Sequence, residues 1–393
     1  MTLGQYVVDH LSNIITIGFY VLVILLLVIY RKKFDFQGKI IAMRRTKFGV
    51  DFINKHAKKH KETIKILGYT GIGVGFIGMI YIFIYVLGAL IKLFTQPQGP
   101  AALSPVLPGV TIPGSPLFIP LWVLVPLFIV IVLHELGHGL VAKAHGLPIK
   151  STGFVFFGPL AGAFVEPDEK KLQKSSDVVQ YSVFAAGPFA NALTAGVVLL
   201  ILTLILNPLT GLMVDPSGFS VAEVTPEFPA ALAGLEAGVT YNVVNGDAVA
   251  SYEELTMSLA CMVPGDTVSI GDGSNSYLIT TTANPLDESK AYIGVLGIQT
   301  DFETKTGVPE WSLSIMMFLR QFFFWIFVLS LGLGAFNLLP LGPVDGGRMI
   351  QLGFAKTLGE KKGHKIWVKL ALILVIIILI LLFVPIIRAI IGG

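Results

Sequence analysis

The stretch LFIPLWVLVPLFIVIVLHELGHGLV, residues 117–141, carries no charge before Glu135 and is long enough to cross a bilayer as one helix. Within it His134 and His138 stand four residues apart, so their imidazoles project from one side of the helix and can share one zinc ion. Glu135, beside the first, can take a proton from a water held there. A carboxylate this deep in a membrane segment is costly and faces a protein interior or a wet cavity, so the cluster reads as a functional site. The alternative is a chance match of three letters, which would more often fall on a solvated helix, where these residues cost nothing.

Outside this stretch, 54% hydrophobic and 13% charged residues make the chain too apolar for a soluble protein. The fold class is a polytopic α-helical membrane protein. Six spans are expected, at about 12–30, 66–94, 117–141, 180–206, 312–338 and 367–389. The net charge of +3 is small and unevenly placed, which suits membrane orientation and gives no support for nucleic-acid binding. A single cysteine, Cys261, excludes an intrachain disulfide and a cysteine-rich metal site.

Charge placement sets the topology. Arg31, Lys32 and Lys33 follow the first apolar run, which reads as an uncleaved anchor with its start outside. Residues 31–65 hold twelve lysines and arginines and belong in the cytoplasm, as an orientation signal and a contact for anionic membrane lipids. Residues 96–120 hold no charge and seven prolines, an outer connection expected to be extended. The third span then runs inward and reaches His134 after ~17 residues, or ~26 Å, which puts the metal site in the cytoplasmic half of the membrane. Lys143, Lys150, Lys170, Lys171 and Lys174 mark the inner side again, and residues 208–308 become extracytoplasmic. Arg320 is expected to snorkel from the outer part of the fifth span.

Two histidines leave a catalytic zinc one protein ligand short. His145 is close enough in sequence to be considered, although an interfacial role suits it better. A carboxylate is available in GAFNLLPLGPVDGG, where Pro340 and Pro343 stop the fifth span and Asp345 follows at the cytoplasmic edge. Asp345 is therefore the best third ligand. Its ordinary alternative is a turn aspartate before Gly346 and Gly347. Asn337 can satisfy backbone groups freed where the helix breaks.

HELGH at 134–138, GPFAN at 187–191 and NLLPLGPVDGG at 337–347 appear in this order, each on its expected span. In these motifs the chain resembles the site-2 proteases, intramembrane zinc metalloproteases that cut membrane-spanning substrates. The resemblance covers about 117–350. It implies His134, His138 and Asp345 as zinc ligands, Glu135 as catalytic acid and base, and Asn191 and Asn337 as residues that shape the active site, with Pro340, Gly158 and Gly162 beside them. The domain organisation follows: 1–95, two spans and the basic loop; 96–207 and 309–350, the two parts of the catalytic core; 208–308, an inserted module; 351–393, a last span.

FVFFGPLAGAFVEP, residues 154–167, is too short for a span. It suits either a membrane-embedded hairpin whose edge pairs with substrate backbone, or a partly buried cytoplasmic loop. Glu166–Pro167 should end it. Within the inserted module, the strand-like FSVAEV, the helix-like PAALAGLEAG, then VTYNVVNGDAV and SYEELTMSLA resemble a small α+β PDZ domain, which implies an extended peptide ligand at a sheet edge. The departure at Gly238–Val239, where an aspartate commonly follows the glycine, leaves a spacer or gate as the alternative. Cys261 is expected in the core of this module. A metal transporter and a non-catalytic PDZ scaffold are the competing classes. A transporter would show polar residues along several spans or repeated halves, and the sequence shows neither.

Overall fold

The computed structural model describes residues 3–37, 41–96, 101–103, 107–110, 119–158, 160–285 and 287–391, with the backbone alone for 3–15. Most of the proline-rich connection at 96–120 lies outside these residues. Among them the helices are α1 (Leu3–Ile29), α2 (Val50–Lys59), α3 (Lys61–Thr95), α4 (Leu124–Ala144), α5 (Glu169–Gln173) and α6 (Asp177–Ile201). Then come α7 (Asn207–Gly211), α8 (Pro229–Leu232), α9 (Tyr252–Leu259), α10 (Glu310–Asn337), α11 (Asp345–Leu358) and α12 (Glu360–Ile391). Five segments are long and apolar enough to cross a membrane: Lys61–Thr95, Leu121–Ala144, Asp177–Gly211, Glu310–Asn337 and Glu360–Ile391. The described apolar part of α1, Thr16–Ile29, is shorter. Their outward faces stay apolar, with Ile77, Tyr81 and Ile84 exposed on α3, as lipid-facing helices require.

The chain divides into two compact units, Met1–Leu202 with Gln321–Gly393, and Thr203–Arg320. In the first, α3, α4, α6 and α11 enclose a core of Met79, Ala142, Phe184, Ala185 and Met349. A stripe of Gly68, Gly71 and Gly75 lets α3 lie directly on these neighbours, because added Cβ atoms would press on Val141, Phe189 and Met349.

A four-stranded antiparallel sheet belongs to the same unit, in the order β1 (Asp35–Gln37), β2 (Ile41–Thr46), β3 (Ile149–Phe157), β4 (Leu160–Pro167). The hairpin expected at 154–167 thus forms and ends at Pro167. It is longer than expected, starting at Ile149, and it carries two further strands. These come from the basic segment 31–65, expected as a loop. Thr46 opposes Thr152, which opposes Val165, so the register ties residues more than a hundred positions apart. Helix α2 completes the segment by burying Ile53 and Ala57 while Lys55, Lys58 and Lys59 stay exposed. Ile53 packs where a Cβ on Gly139 of α4 would sit, one residue beyond His138.

The second unit contains β5 (Val214–Val224), β6 (Val243–Val244), β7 (Asp247–Ala248), β8 (Thr267–Gly271), β9 (Ser276–Thr280), β10 (Thr282–Asn284), β11 (Asp287–Tyr292) and β12 (Val295–Thr304). β5 pairs with β12, β10 with β11, and the other four form a sheet in the order β7-β6-β8-β9. Phe219, Val221, Tyr241, Val268, Ile270 and Ile279 make its core. Two expectations are corrected here. Only Pro229–Leu232 of PAALAGLEAG is helical, since Gly234 and Gly238 adopt positive φ and turn the chain. Cys261 is exposed, because it follows the last turn of α9, whose buried contact is Leu255.

Candidate metal centre

Helix α4 carries His134, Glu135 and His138, and the four-residue spacing sets both rings on the side facing α6. His138 donates from Nδ1 to the Val183 carbonyl of α6 at 2.7 Å. A carbonyl only accepts, so that nitrogen carries the proton, and the neutral form of the ring presents its lone pair at Nε2. His138 Nε2 lies 3.2 Å from His134 Nε2. Asp345 Oδ2 is 3.1 Å from the first ring and 3.3 Å from the second. Among the described residues this is the one His/Cys/Asp/Glu group with ligand atoms all within 4.8 Å of one another.

Asp345 reaches the rings because α10 stops at Asn337 and the chain turns through Leu338–Val344 before α11 starts at Asp345 itself. The turn packs on the first turn of α11. A Cβ on Gly346 or Gly347 would overlap the carbonyls of Leu338 and Leu341, so the Gly–Gly pair permits the approach. Asp345 is 9% exposed and His134 5%. The alternative of an ordinary turn aspartate therefore does not describe it: Asp345 opens a helix and faces inward. Ion pairs hold α11 in place, Arg348 with Glu169 of α5 and Lys356 with Asp177 of α6 at 2.9 Å, and Arg348 lies 4.7 Å over the Phe184 ring.

Glu135 accepts a hydrogen bond from the Val165 N–H of β4 at 3.0 Å. The hairpin edge and the helix that carries both rings thus meet at this carboxylate. The Asp345 and Glu135 carboxylates beside two imidazoles make a cluster whose negative charge a divalent cation would balance. Two ring nitrogens and one carboxylate oxygen are also the donor set of a catalytic zinc site with a position left open. The residues present fit that metal.

The remaining predicted residues divide. Asn191, fully buried on α6, lies 3.1 Å from His134 Nδ1 and belongs to the centre. Asn337 donates its amide to the Leu333 carbonyl one turn back inside α10, at 3.0 Å, not to a group freed by the helix break. Pro340 is buried in the turn before Asp345. Gly158, at φ 57°, makes the hairpin tip, and Gly162 of β4 faces Val155, so neither borders the ligands. His145 is not a ligand. Its Nε2 pairs with Ser182 Oγ at 3.1 Å, its ring lies against Tyr69, and burial, with Lys65 nearby, lowers its pKa.

Gly187 is the functional position that sequence reasoning missed. A Cβ there would stand 2.3 Å from His138 Nε2 and 2.5 Å from His134 Nε2, so the α6 backbone is a wall of the centre. The signal was present as the first letter of GPFAN, but its reason lies in a helix crossing that one chain segment cannot announce. At the hairpin base, Glu166 accepts from Ser151 Oγ at 2.6 Å and pairs with Arg45 of β2, which also pairs with Asp35. The Ser151 hydroxyl first, then Arg45, hold the Glu166 carboxyl below its usual range.

The sequence profile of peptidase family M50 matches residues 122–381. An uncharacterized protein of Methanocaldococcus jannaschii is 27% identical over 84% of this chain and 81% of its own length. A putative zinc metalloprotease of Clostridium perfringens is 24% identical over 59% of this chain and 87% of its own. The zinc metalloprotease RasP of Geobacillus kaustophilus is 26% identical over 48% of this chain and 55% of its own.

Proposed function

The chain belongs to peptidase family M50, the site-2 proteases, and from that premise we propose that it hydrolyses peptide bonds in or beside membrane-spanning segments of other proteins. The observation that carries this reading is the convergence of His134 Nε2, His138 Nε2 and Asp345 Oδ2 with the Glu135 carboxylate alongside. When bound by those three residues, zinc supplies a Lewis acid that makes water acidic enough to lose a proton near pH 7 and polarises the scissile carbonyl. Glu135 takes the proton of the attacking water and returns it to the departing nitrogen. The Val165 amide keeps its carboxylate aimed at the site.

A helical substrate hides its carbonyls in its own hydrogen bonds, so it must be unwound before attack. The free edge of β4 suits the unwound strand. Val165 turns its N–H away from β3 toward Glu135, and alternation along an antiparallel strand gives Ala163 and Ala161 the same outward direction. An extended substrate backbone added there would lead directly to the metal residues.

The second unit is read as the PDZ-like module. β12 pairs only with β5 among the described residues, which leaves its other edge for an extended peptide. Beside it lies an apolar cavity of about 200 Å³ lined by Leu255, Leu259, Met262, Val295 and Ile298. The charge pattern orients the chain with its start and this unit outside and the metal site toward the cytoplasm. A transporter would need further ligand groups along its path, and the described residues contain a single cluster.

The test is cleavage of a transmembrane substrate by purified full-length protein. Glu135→Gln should keep about one zinc per chain and lower cleavage by roughly 10²–10⁴-fold. Proteolysis undiminished in that variant would overturn the assigned base, and zinc flux into liposomes without proteolysis would establish the transporter.

A further inference from the structure

We infer that the side-chain carbonyl of Asn191 accepts a hydrogen bond from Nδ1–H of His134 and so decides which nitrogen of that ring is left to bind metal. The inference rests on the metalloprotease reading and adds a positioning residue to it.

Asn191 is fully buried, and its carboxamide can turn to present either end to the ring. Nδ2 lies 3.1 Å from His134 Nδ1, while Oδ1 is buried without a partner. A half-turn of the amide exchanges oxygen and nitrogen without changing the shape of the side chain. As placed, the far oxygen finds no donor, so it does not decide which way the amide turns. The ring does.

With nitrogen toward the ring, Nδ1 must be the lone pair, and the neutral imidazole carries its proton on Nε2. That proton would point into the 3.1–3.3 Å cluster formed with Asp345 Oδ2 and the lone pair of His138, and Nε2 could not ligate. With oxygen toward the ring, Nδ1 keeps the proton and Nε2 offers its lone pair to the same point as the other two ligand atoms. His138 supplies the parallel: the Val183 carbonyl accepts its Nδ1–H from the same helix α6. One ring is thus set by a main-chain carbonyl and the other by a side-chain carbonyl. Partners of this kind fix the ring tautomer and raise ligand basicity.

A residue that merely fills space predicts the opposite pattern of substitution. Leucine, of similar volume and apolar, would suit a packing role, whereas a buried aspartate without a partner would be costly. For an acceptor, Asn191→Asp keeps an oxygen on Nδ1–H and Asn191→Leu removes it. Zinc affinity of the full-length protein in detergent, measured with Zn²⁺ in competition with a chromogenic chelator, separates the two. We expect Asn191→Asp to bind zinc within a few-fold of the parent or tighter, and Asn191→Leu to bind about 10–100-fold more weakly. Parent-like affinity in the leucine variant, or an equal loss in both, overturns the inference. Should the leucine variant fail to elute as folded protein, the aspartate variant decides alone: near-parent affinity supports the role and a loss of tenfold or more overturns it. A parent chain that binds no zinc overturns the metalloprotease reading itself, and this inference with it.

Discussion

Gly187 shows how little room one side chain has at the metal residues. An added methyl would fall 2.3–2.5 Å from both Nε2 atoms, while the helix that carries it would gain from alanine's higher propensity by about 1 kcal/mol. Gly187→Ala is therefore expected to keep helix content, to lower the melting temperature through the overpacked contact, and to weaken zinc binding by about tenfold or more. Circular dichroism with a zinc titration checks this, and a variant that binds zinc normally would show that α6 can withdraw. The histidine pair was legible from the sequence because the helical period alone brings positions four apart together. Asp345 was legible from topology, because charge placement put it at the depth of His138 although 207 residues separate them. Gly187 and the Val165 amide were not, because one is required by a crossing of two helices and the other is a main-chain group whose residue type carries no signal.

At the level of elements, β4 is where sheet and metal helix meet. The Val165 N–H points off the sheet, so Val165→Pro removes no ladder hydrogen bond; it removes the contact with Glu135 and alters the side chain packed at Gly139 of α4. Hydrogen bonds to charged groups contribute about 1.5–3 kcal/mol, and its loss is expected to lower kcat/KM by roughly tenfold or more, with zinc content unchanged. Parent-like kinetics would show that Glu135 needs no such support. The hairpin itself was readable in its glycine, aromatic and β-branched composition. Its two additional strands were not. β2 reads Ile-Ala-Met-Arg-Arg-Thr, and its arginines resemble a cytoplasmic charge run until Arg45 is seen bridging Asp35 and Glu166 across the sheet. Helix α11 was missed for a related reason: Asp-Gly-Gly reads as a turn in isolation, and it becomes a first helical turn only because the Leu338–Gly342 backbone needs the space two glycines leave.

For the whole molecule, composition was enough to establish a multi-pass membrane protein, and the family match agrees with it. The proposed orientation has a direct probe in the single cysteine. Cys261 is exposed on the second unit, so a membrane-impermeant maleimide should label it in intact cells without permeabilisation. Labelling only after permeabilisation would place that unit inside and invert the topology. The three-ligand centre has an equally direct probe in zinc-edge X-ray absorption of the purified Glu135→Gln protein. Two imidazoles and one carboxylate predict a shell of nitrogen and oxygen at ~2.0–2.2 Å with scattering from two rings, reduced to one ring in the Glu135→Gln, His138→Ala double variant. A ring count unchanged by that second substitution, or a sulfur shell near ~2.3 Å, would contradict it.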